Sequence, residues 1–464
     1  MNPFMQAGAA LALAAPLCAL ADTPSTTPIE IQNLRRDMET LRATYEARLQ
    51  ALEQRLLAAE GATAMASTAS TAAAAPVISP STPVPSPAGG ANAFNPEISL
   101  ILSGGYTRTQ SDPATYRITG FQLPAGSEAG PGSRGFSLGE SELRLSANID
   151  PYLRGVANLS LSPDNTLSVE EAFVQTTSLG NGLTFKAGRF YSNVGYLNPQ
   201  HAHTWDFVDN PLAYQALLGT QYRDDGVQLS WLAPTDQYLE LGAELGRGRN
   251  FPGSDTSRNG AGMTALTAHT GGDIGVSHNW RAGLSRLSTK ASDQNLTAVD
   301  SSGSLVTNAF SGNTSVWIID GVWKWAPNGN ATQTSFKLQG EYLRSSRSGT
   351  LNYDTDSAIT PGSYRAVQSG WYVQGVYQFM PRWRAGLRTE RLNAGTPDFG
   401  VNTGSLAGSA YQPSKNSFMI DFNPSEFSRV RLQLAQDRSR QGLVDNQIFL
   451  KYQMSLGAHG AHNY

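Results

Sequence analysis

Between Asn198 and Asp209 the chain reads Asn-Pro-Gln-His-Ala-His-Thr-Trp-Asp-Phe-Val-Asp. His201 and His203 offer imidazole nitrogens and Asp206 and Asp209 offer carboxylate oxygens, a donor set that suits zinc. Two histidines and two aspartates also meet by chance in a loop, where aspartate often caps a turn. Both readings stand on the residues alone. His459 and His462 read as a tail at the end of the chain, and His269 as a lining residue on an expected strand. Six histidines are present in all, but no local arrangement joins one of them to a serine and an acid. No nucleophile, base and orienting acid can be assembled, so the expectation is that the chain is not an enzyme.

A second group of polar residues recurs at fixed intervals. Basic members are Arg144, Arg154, Lys186, Arg281, Lys337, Arg384, Arg388, Arg429 and Arg431. Acidic members are Glu140, Glu142, Glu240, Glu244, Asp320, Glu341, Glu390, Asp421 and Asp437. Each stands at the parity opposite to apolar neighbours, as in Leu143, Leu145 and Ala147 against Glu142, Arg144 and Ser146, or Trp383, Ala385 and Leu387 against Arg384 and Arg388. That period of two is the mark of a strand with one apolar and one polar face. It recurs from Phe94 to the end in about sixteen segments, including weaker ones near 168–176, 264–275 and 279–288.

The connections choose among all-β folds. Tight turns at Asp150-Pro151, Ala233-Pro234-Thr235-Asp236, Ala326-Pro327-Asn328-Gly329, Met380-Pro381 and Asn423-Pro424 alternate with long loops. The long ones fall near 109–135, 190–218, 247–264, 289–313, 345–367 and 393–414. Short turns on one rim and long loops on the other are the pattern of outer-membrane barrels, as is the aromatic girdle beside the tight turns (Trp323, Trp325, Trp383, Phe379, Phe422, Phe427). The expected fold is an all-β transmembrane antiparallel barrel of about sixteen strands, with apolar residues facing lipid and the charged set facing the lumen. Loop 190–218, the third on the long-loop rim, becomes the candidate constriction through Trp205, Asp206 and Asp209. Basic residues around 384–431 would face acidic ones near 140 and 240, a transverse field with weak net ion selectivity. Many of these charges would equally serve as cross-strand salt bridges.

Composition agrees with a barrel. The chain has 464 residues, 15% charged and 40% hydrophobic, with 46 glycines and a net charge of −3. The near balance of 34 basic and 37 acidic residues argues against a nucleic-acid partner. The single cysteine, Cys18, excludes a disulfide framework. Residues 1–21 read as a signal peptide with an Ala19-Leu20-Ala21 cleavage site, followed by a short segment, 22–26. Residues 27–60 read as a coiled coil, opened by the capping box Thr27-Pro28-Ile29-Glu30 and striped by Ile31, Leu34, Met38, Leu41 and Tyr45. The uncharged Ala/Ser/Thr/Pro stretch 61–93 reads as a tether, and 94–464 as the barrel domain. Localisation in the outer membrane of a Gram-negative cell follows, with the coiled coil in the periplasm. A TonB-dependent receptor would need a plug domain and about 22 strands, which the chain does not accommodate.

The segments Val169-Glu-Glu-Ala-Phe-Val-Gln175 and Leu183-Thr-Phe-Lys-Ala-Gly-Arg-Phe190, with the long third loop after them and the aromatic last residue Tyr464, resemble the phosphate-selective (O and P type) porin superfamily over roughly 94–464. The run 198–209 and the ending Met454-Ser-Leu-Gly-Ala-His-Gly-Ala-His462 resemble a zinc-linked proteobacterial subfamily. The resemblance implies a homotrimer of sixteen-stranded barrels with the third loop folded into the pore. One departure is that the dense Arg/Lys lining of phosphate-selective members is absent. The expected function is passive diffusion of small hydrophilic solutes or ions. The alternatives are zinc-linked uptake, or an envelope anchor that reaches peptidoglycan or a periplasmic partner through the coiled coil.

Overall fold

Strict alternation over 8 to 22 residues leaves a strand with one face for hydrocarbon and one for water. Many such strands in sequence satisfy their edges by closing on themselves. The computed structural model, which describes residues 96–457 other than 256 and 258, is a closed antiparallel barrel of sixteen strands. In chain order these are β1 Glu97–Thr109, β2 Ser141–Asn148, β3 Leu153–Leu161, β4 Leu167–Thr176, β5 Leu183–Tyr191 and β6 Arg223–Leu232. They continue as β7 Tyr238–Gly246, β8 Met263–Ile274, β9 His278–Val299, β10 Leu305–Trp325 and β11 Ser335–Tyr353. The last are β12 Thr360–Met380, β13 Trp383–Asn393, β14 Ser414–Ser425, β15 Ser428–Arg438 and β16 Asp445–Gly457. Each strand pairs with its neighbour in sequence, and β1 closes the ring on β16 from Ser99↔Gly457 to Thr109↔Gln447. Two short strands, Leu123–Pro124 and Gly135–Leu138, lie in the connection from β1 to β2 and pair with β9 and β1.

The weak candidates near 168–176, 264–275 and 279–288 are strands β4, β8 and the first half of β9. Two expected loops are corrected. Most of 289–313 and of 345–367 is strand, because β9 to β12 run for 22, 21, 19 and 21 residues. At about 3.3 Å per residue such strands reach roughly 63–73 Å, far past an apolar band about 25 Å tall. Their far halves therefore carry polar outward residues such as Ser346, Ser348 and Thr350, and the alternation that announces a strand fades there. The expected turn at Asn423-Pro424 is also displaced. Asn423 and Pro424 sit at a register shift inside β14, and the reversal falls at Glu426-Phe427, between Ser425 and Ser428.

Outward residues of the near halves form a continuous apolar skin, including Leu229, Leu241, Leu284, Ile319, Leu338, Val373, Leu387, Phe418, Leu434 and Leu450, all exposed. The interior is not uniformly polar. Ala265, Leu287, Val316, Ile318, Leu343, Tyr372 and Leu392 point inward and form a buried apolar cluster with Ile118, Phe121 and Leu123 of the first long connection and with a short helix of the third. The expected signal peptide, 22–26 segment, coiled coil and tether, with His459, His462 and Tyr464, lie outside the described residues.

Candidate functional site

The connection between β5 and β6, residues 192–222, meets side chains from most of the barrel wall. Its base is held by Asn198, whose Nδ2 donates to the carbonyls of Ser192 (2.7 Å) and Tyr222 (2.8 Å) while its Oδ1 accepts the Tyr222 amide (2.7 Å). One asparagine thus fastens the start of the segment to its end. Nearby, Glu244 of β7 accepts from the Ser192 hydroxyl (2.6 Å) and the Asn193 amide (2.8 Å), and Glu240 accepts from Asn193 Nδ2 (3.0 Å).

The segment then turns over β11. Glu341 accepts the amides of Tyr196 (3.1 Å) and Leu197 (3.0 Å) and the hydroxyls of Tyr214 (2.8 Å) and Tyr372 (2.6 Å). Tyr214 belongs to α1, Leu212–Leu218, the one α-helix among the described residues. Pro211 stands at its N-cap, Glu390 of β13 accepts the Leu212 amide, and Gly219 at φ 65° ends it in the left-handed region that glycine enters without a Cβ clash. Every residue of α1 is buried. So short a helix is marginal by itself, and its stability comes from the apolar cluster around it.

Charge is sorted along the segment between its two ends. His203 Nδ1 lies 2.9 Å from Glu142 Oε1 of β2. His201 Nδ1 lies 3.2 Å from Glu142 Oε2 and 3.3 Å from Glu170 Oε2, and its Nε2 lies 2.9 Å from Glu171 Oε2 of β4. Five residues further along the signs invert. Asp206 pairs with Lys337 of β11 and with Arg384 of β13 (3.4 Å). Asp209 pairs with Arg388 of β13 (2.8 Å) and Lys415 of β14 (2.5 Å), and accepts from Gln433 of β15 (2.9 Å). Between these, the carbonyls of His203 and Trp205 accept from Arg429 (2.6 Å) and Arg431 (2.8 Å) of β15. Histidines thus meet the acidic wall and aspartates the basic wall.

Burial disfavours the charged form of His201, but Glu142, Glu170 and Glu171 outweigh it and hold the ring well above its ordinary value. For Asp206 and Asp209 burial likewise raises the carboxyl. The adjacent Lys337 and Arg384 in one case, and Lys415 and Arg388 in the other, more than offset it and hold both below the ordinary carboxylate range.

This arrangement changes the grouping read from sequence. Asp206 and Asp209 do not join the histidines. The carboxylates beside His201 and His203 come from β2 and β4, and the donor atoms of Glu142, His201 and His203 lie within 4.8 Å of one another. Glu170 and Glu171 are adjacent in sequence, so alternation alone does not place both at the site. A register shift between Asn158 and Leu159, in the ladder of β3 with β4, breaks the alternation that would have sent one of the two outward. Trp205 is buried, with its indole donating to the Gln200 carbonyl (3.0 Å).

Among the other expected lining residues, Glu240, Glu244, Lys337, Arg384, Arg388, Arg429 and Arg431 hydrogen-bond or pair with the segment, and Arg281 lies 5.3 Å from the Tyr196 ring. Four are elsewhere. Arg144 is exposed at an inward register position opposite Ser99, and Arg154 pairs with Glu97 (2.5 Å) near the rim of short turns. Lys186 lies over the rings of Phe173 and Phe190. Asp320 is buried over Gly283, where an added Cβ would come within 2.1 Å of its carboxylate. His269 is buried 3.6 Å from Glu240.

No protein-family model matches the chain. A curated relative, an uncharacterized protein of Aquifex aeolicus (strain VF5), is 31% identical over 404 residues, which is 80% of each chain. Among solved structures, OmpT of Vibrio cholerae in a trimer form is similar with a TM-score of 0.48 at 10% identity, over 78% of this chain and 100% of that one. An anion-selective porin from Comamonas acidovorans gives 0.48 at 10%, covering 78% and 100%. The outer membrane channel DcaP of Acinetobacter baumannii gives 0.46 at 13%, covering 78% and 97%.

Proposed function

This chain belongs to the same family as the Aquifex aeolicus protein, and we propose that it is an outer-membrane porin through which small hydrophilic solutes or ions diffuse passively. The observation that carries the reading is the two-sided wall: an exposed apolar skin outside and ionisable side chains inside the same closed barrel. Hydrocarbon tolerates the skin because closure satisfies every strand edge. A soluble protein would have no use for so large an exposed apolar surface.

The segment 192–222 is the constriction in this reading, with Trp205, Asp206 and Asp209 at its centre. Solutes would pass Lys337 and Arg384 at the constriction itself, and Arg144, Arg154 and Lys186 elsewhere along the lumen. Because acidic and basic walls are both engaged by the segment, net ion selectivity would be weak and dipolar solutes favoured. The signal peptide, export to the outer membrane, a homotrimer and a periplasmic coiled coil complete the proposal. Planar-bilayer recording with a salt gradient tests it. Discrete conductance steps with a small reversal potential are expected, and a purified folded barrel with no conductance would refute it.

A second reading is favoured by one observation, the convergence of Glu142, His201 and His203. Two imidazoles and a carboxylate are a zinc donor set, and zinc held there would be cargo in transit along the acidic wall. Titration calorimetry with zinc should give heat that a His201→Ala/His203→Ala double variant lacks. Equal heats would end the zinc reading and leave the porin reading intact.

A further inference from the structure

Outward positions carry a second pattern that diffusion through the lumen does not use. Beyond the apolar skin, toward the rim of long connections, the first charged outward residue on β9, β11, β13, β15 and β1 is an arginine: Arg286, Arg344, Arg391, Arg438 and Arg108. Each follows the nearest preceding large apolar outward residue of its strand (Leu284, Tyr342, Leu387, Leu434, Tyr106) by two or four positions, and all five are exposed. These are alternate strands of one unbroken stretch of wall, so successive arginines stand two strand spacings apart, about 10 Å.

The rank keeps to the edge of the skin. The register row Tyr342↔Trp371↔Arg391↔Ser414↔Arg438 contains two of the arginines. Arg344 lies one outward step beyond that row on β11, while Arg108 falls below it on β1, opposite Ile448. Barrel strands are tilted, so a register row climbs relative to the membrane plane. Arginines and the upper limit of the apolar skin step down the rows together.

The sign is unmixed. No Asp or Glu occupies an outward position on β10–β16 or β1, or on β9 before its bulge at Ala291/Gln294. None of the five arginines has an ion-pair partner among the described residues. Arg286 donates to Ser315 Oγ (3.3 Å) and lies over the Trp317 ring (5.4 Å), which holds its guanidinium against the wall.

We propose that this rank docks the phosphate groups of anionic glycolipid in the outer leaflet, with the acyl chains against the apolar skin beside it. Charge complementarity names the headgroup, and the immediate apolar neighbours name a lipid over a dissolved anion. The inference rests on the membrane placement in the porin reading and not on conduction.

The test uses the full chain in neutral detergent, titrated with lipid A bearing both phosphates and with its dephosphorylated form, followed by native mass spectrometry. Wild type should prefer the phosphorylated lipid, and each Arg→Gln substitution at the five positions should weaken binding about fivefold. A variant with all five changed to Lys should keep most of the affinity. Equal binding of the two lipids, or unchanged binding by the five-site Gln variant, would overturn the proposal. So would displacement of the lipid by an equal concentration of inorganic phosphate. Should the five-site variant fail the heat-dependent gel shift of a folded barrel, the Arg391→Gln/Arg438→Gln pair carries the same expectation. Conductance measured on the same preparations is independent, since a non-conducting barrel that still selects the phosphorylated lipid refutes only the porin reading.

Discussion

Asp209→Asn removes one negative charge where the segment 192–222 meets the basic wall and leaves the side-chain shape intact. The carboxylate is 11% exposed and its partners Arg388 and Lys415 are 2% exposed, so the pairs are buried. Removing one partner of a buried pair costs about 3–5 kcal/mol, because the opposite charge stays behind in a poorly solvated place. Arg388 retains Glu390 at 2.8 Å, whereas Lys415 retains only Asp437 at 3.8 Å. The loss should therefore sit near the lower end, about 3 kcal/mol, which shifts the open population of the segment roughly a hundredfold. Asp206 and the Trp205 carbonyl still hold Lys337, Arg384 and Arg431, so the segment should loosen locally while the barrel ladder is untouched. Single-channel recording should show greater mean conductance and more flicker than wild type, and limited proteolysis should cut faster within 199–211. A Lys415→Met change added to Asp209→Asn should restore part of the protection by removing the stranded cation. Wild-type conductance and proteolysis in Asp209→Asn would refute the view that these charges latch the segment. Collapse of the whole barrel would refute it too.

Three further outcomes follow from the same structure. Ile319→Arg, on the apolar skin, should lower stability in lipid vesicles by about 2–4 kcal/mol in denaturant titration, and no loss would count against hydrocarbon on that face. Asp206 and Asp209 are held below the ordinary carboxylate range, so their contribution is complete above the unfolded value near 4 and is lost only as pH falls through the lowered folded values. The difference in conductance between wild type and Asp209→Asn should accordingly hold from pH 7 to about pH 4, and loss of that difference between pH 5 and pH 4 would contradict the assignment. Deleting residues 27–60 should abolish trimers in mild detergent if the coiled coil assembles the protein. Loss of cell-wall co-sedimentation with trimers intact would assign it to anchoring.

Much of the barrel was legible because hydrocarbon enforces a period of two. Leu143 against Glu142, or Leu387 against Arg388, can be sorted to skin or lumen without coordinates, and the turns at Asp150-Pro151 and Met380-Pro381 break the chain where they should. The far halves of β9 to β12 were not legible, since outside lipid neither face must be apolar. The register shift that places Glu170 and Glu171 together leaves no signature in composition. The helix at 212–218 was equally hidden, being seven residues long and buried all round, with Gln215 as its one amide side chain.

What the sequence determined by itself is the wall within the lipid band: the number of crossings, their order, and which side chains face out there. Local alternation and turn residues suffice for that, because each strand answers to the same two solvents. What only tertiary structure decided is the interior, where His201 and His203 find Glu142, Glu170 and Glu171, and Asp206 and Asp209 find Lys337, Arg384, Arg388 and Lys415. Those partners lie between 30 and more than 200 residues apart in the chain. Closure of the barrel brings them to facing walls, and pairing of buried opposite charges then selects the path the segment takes between them.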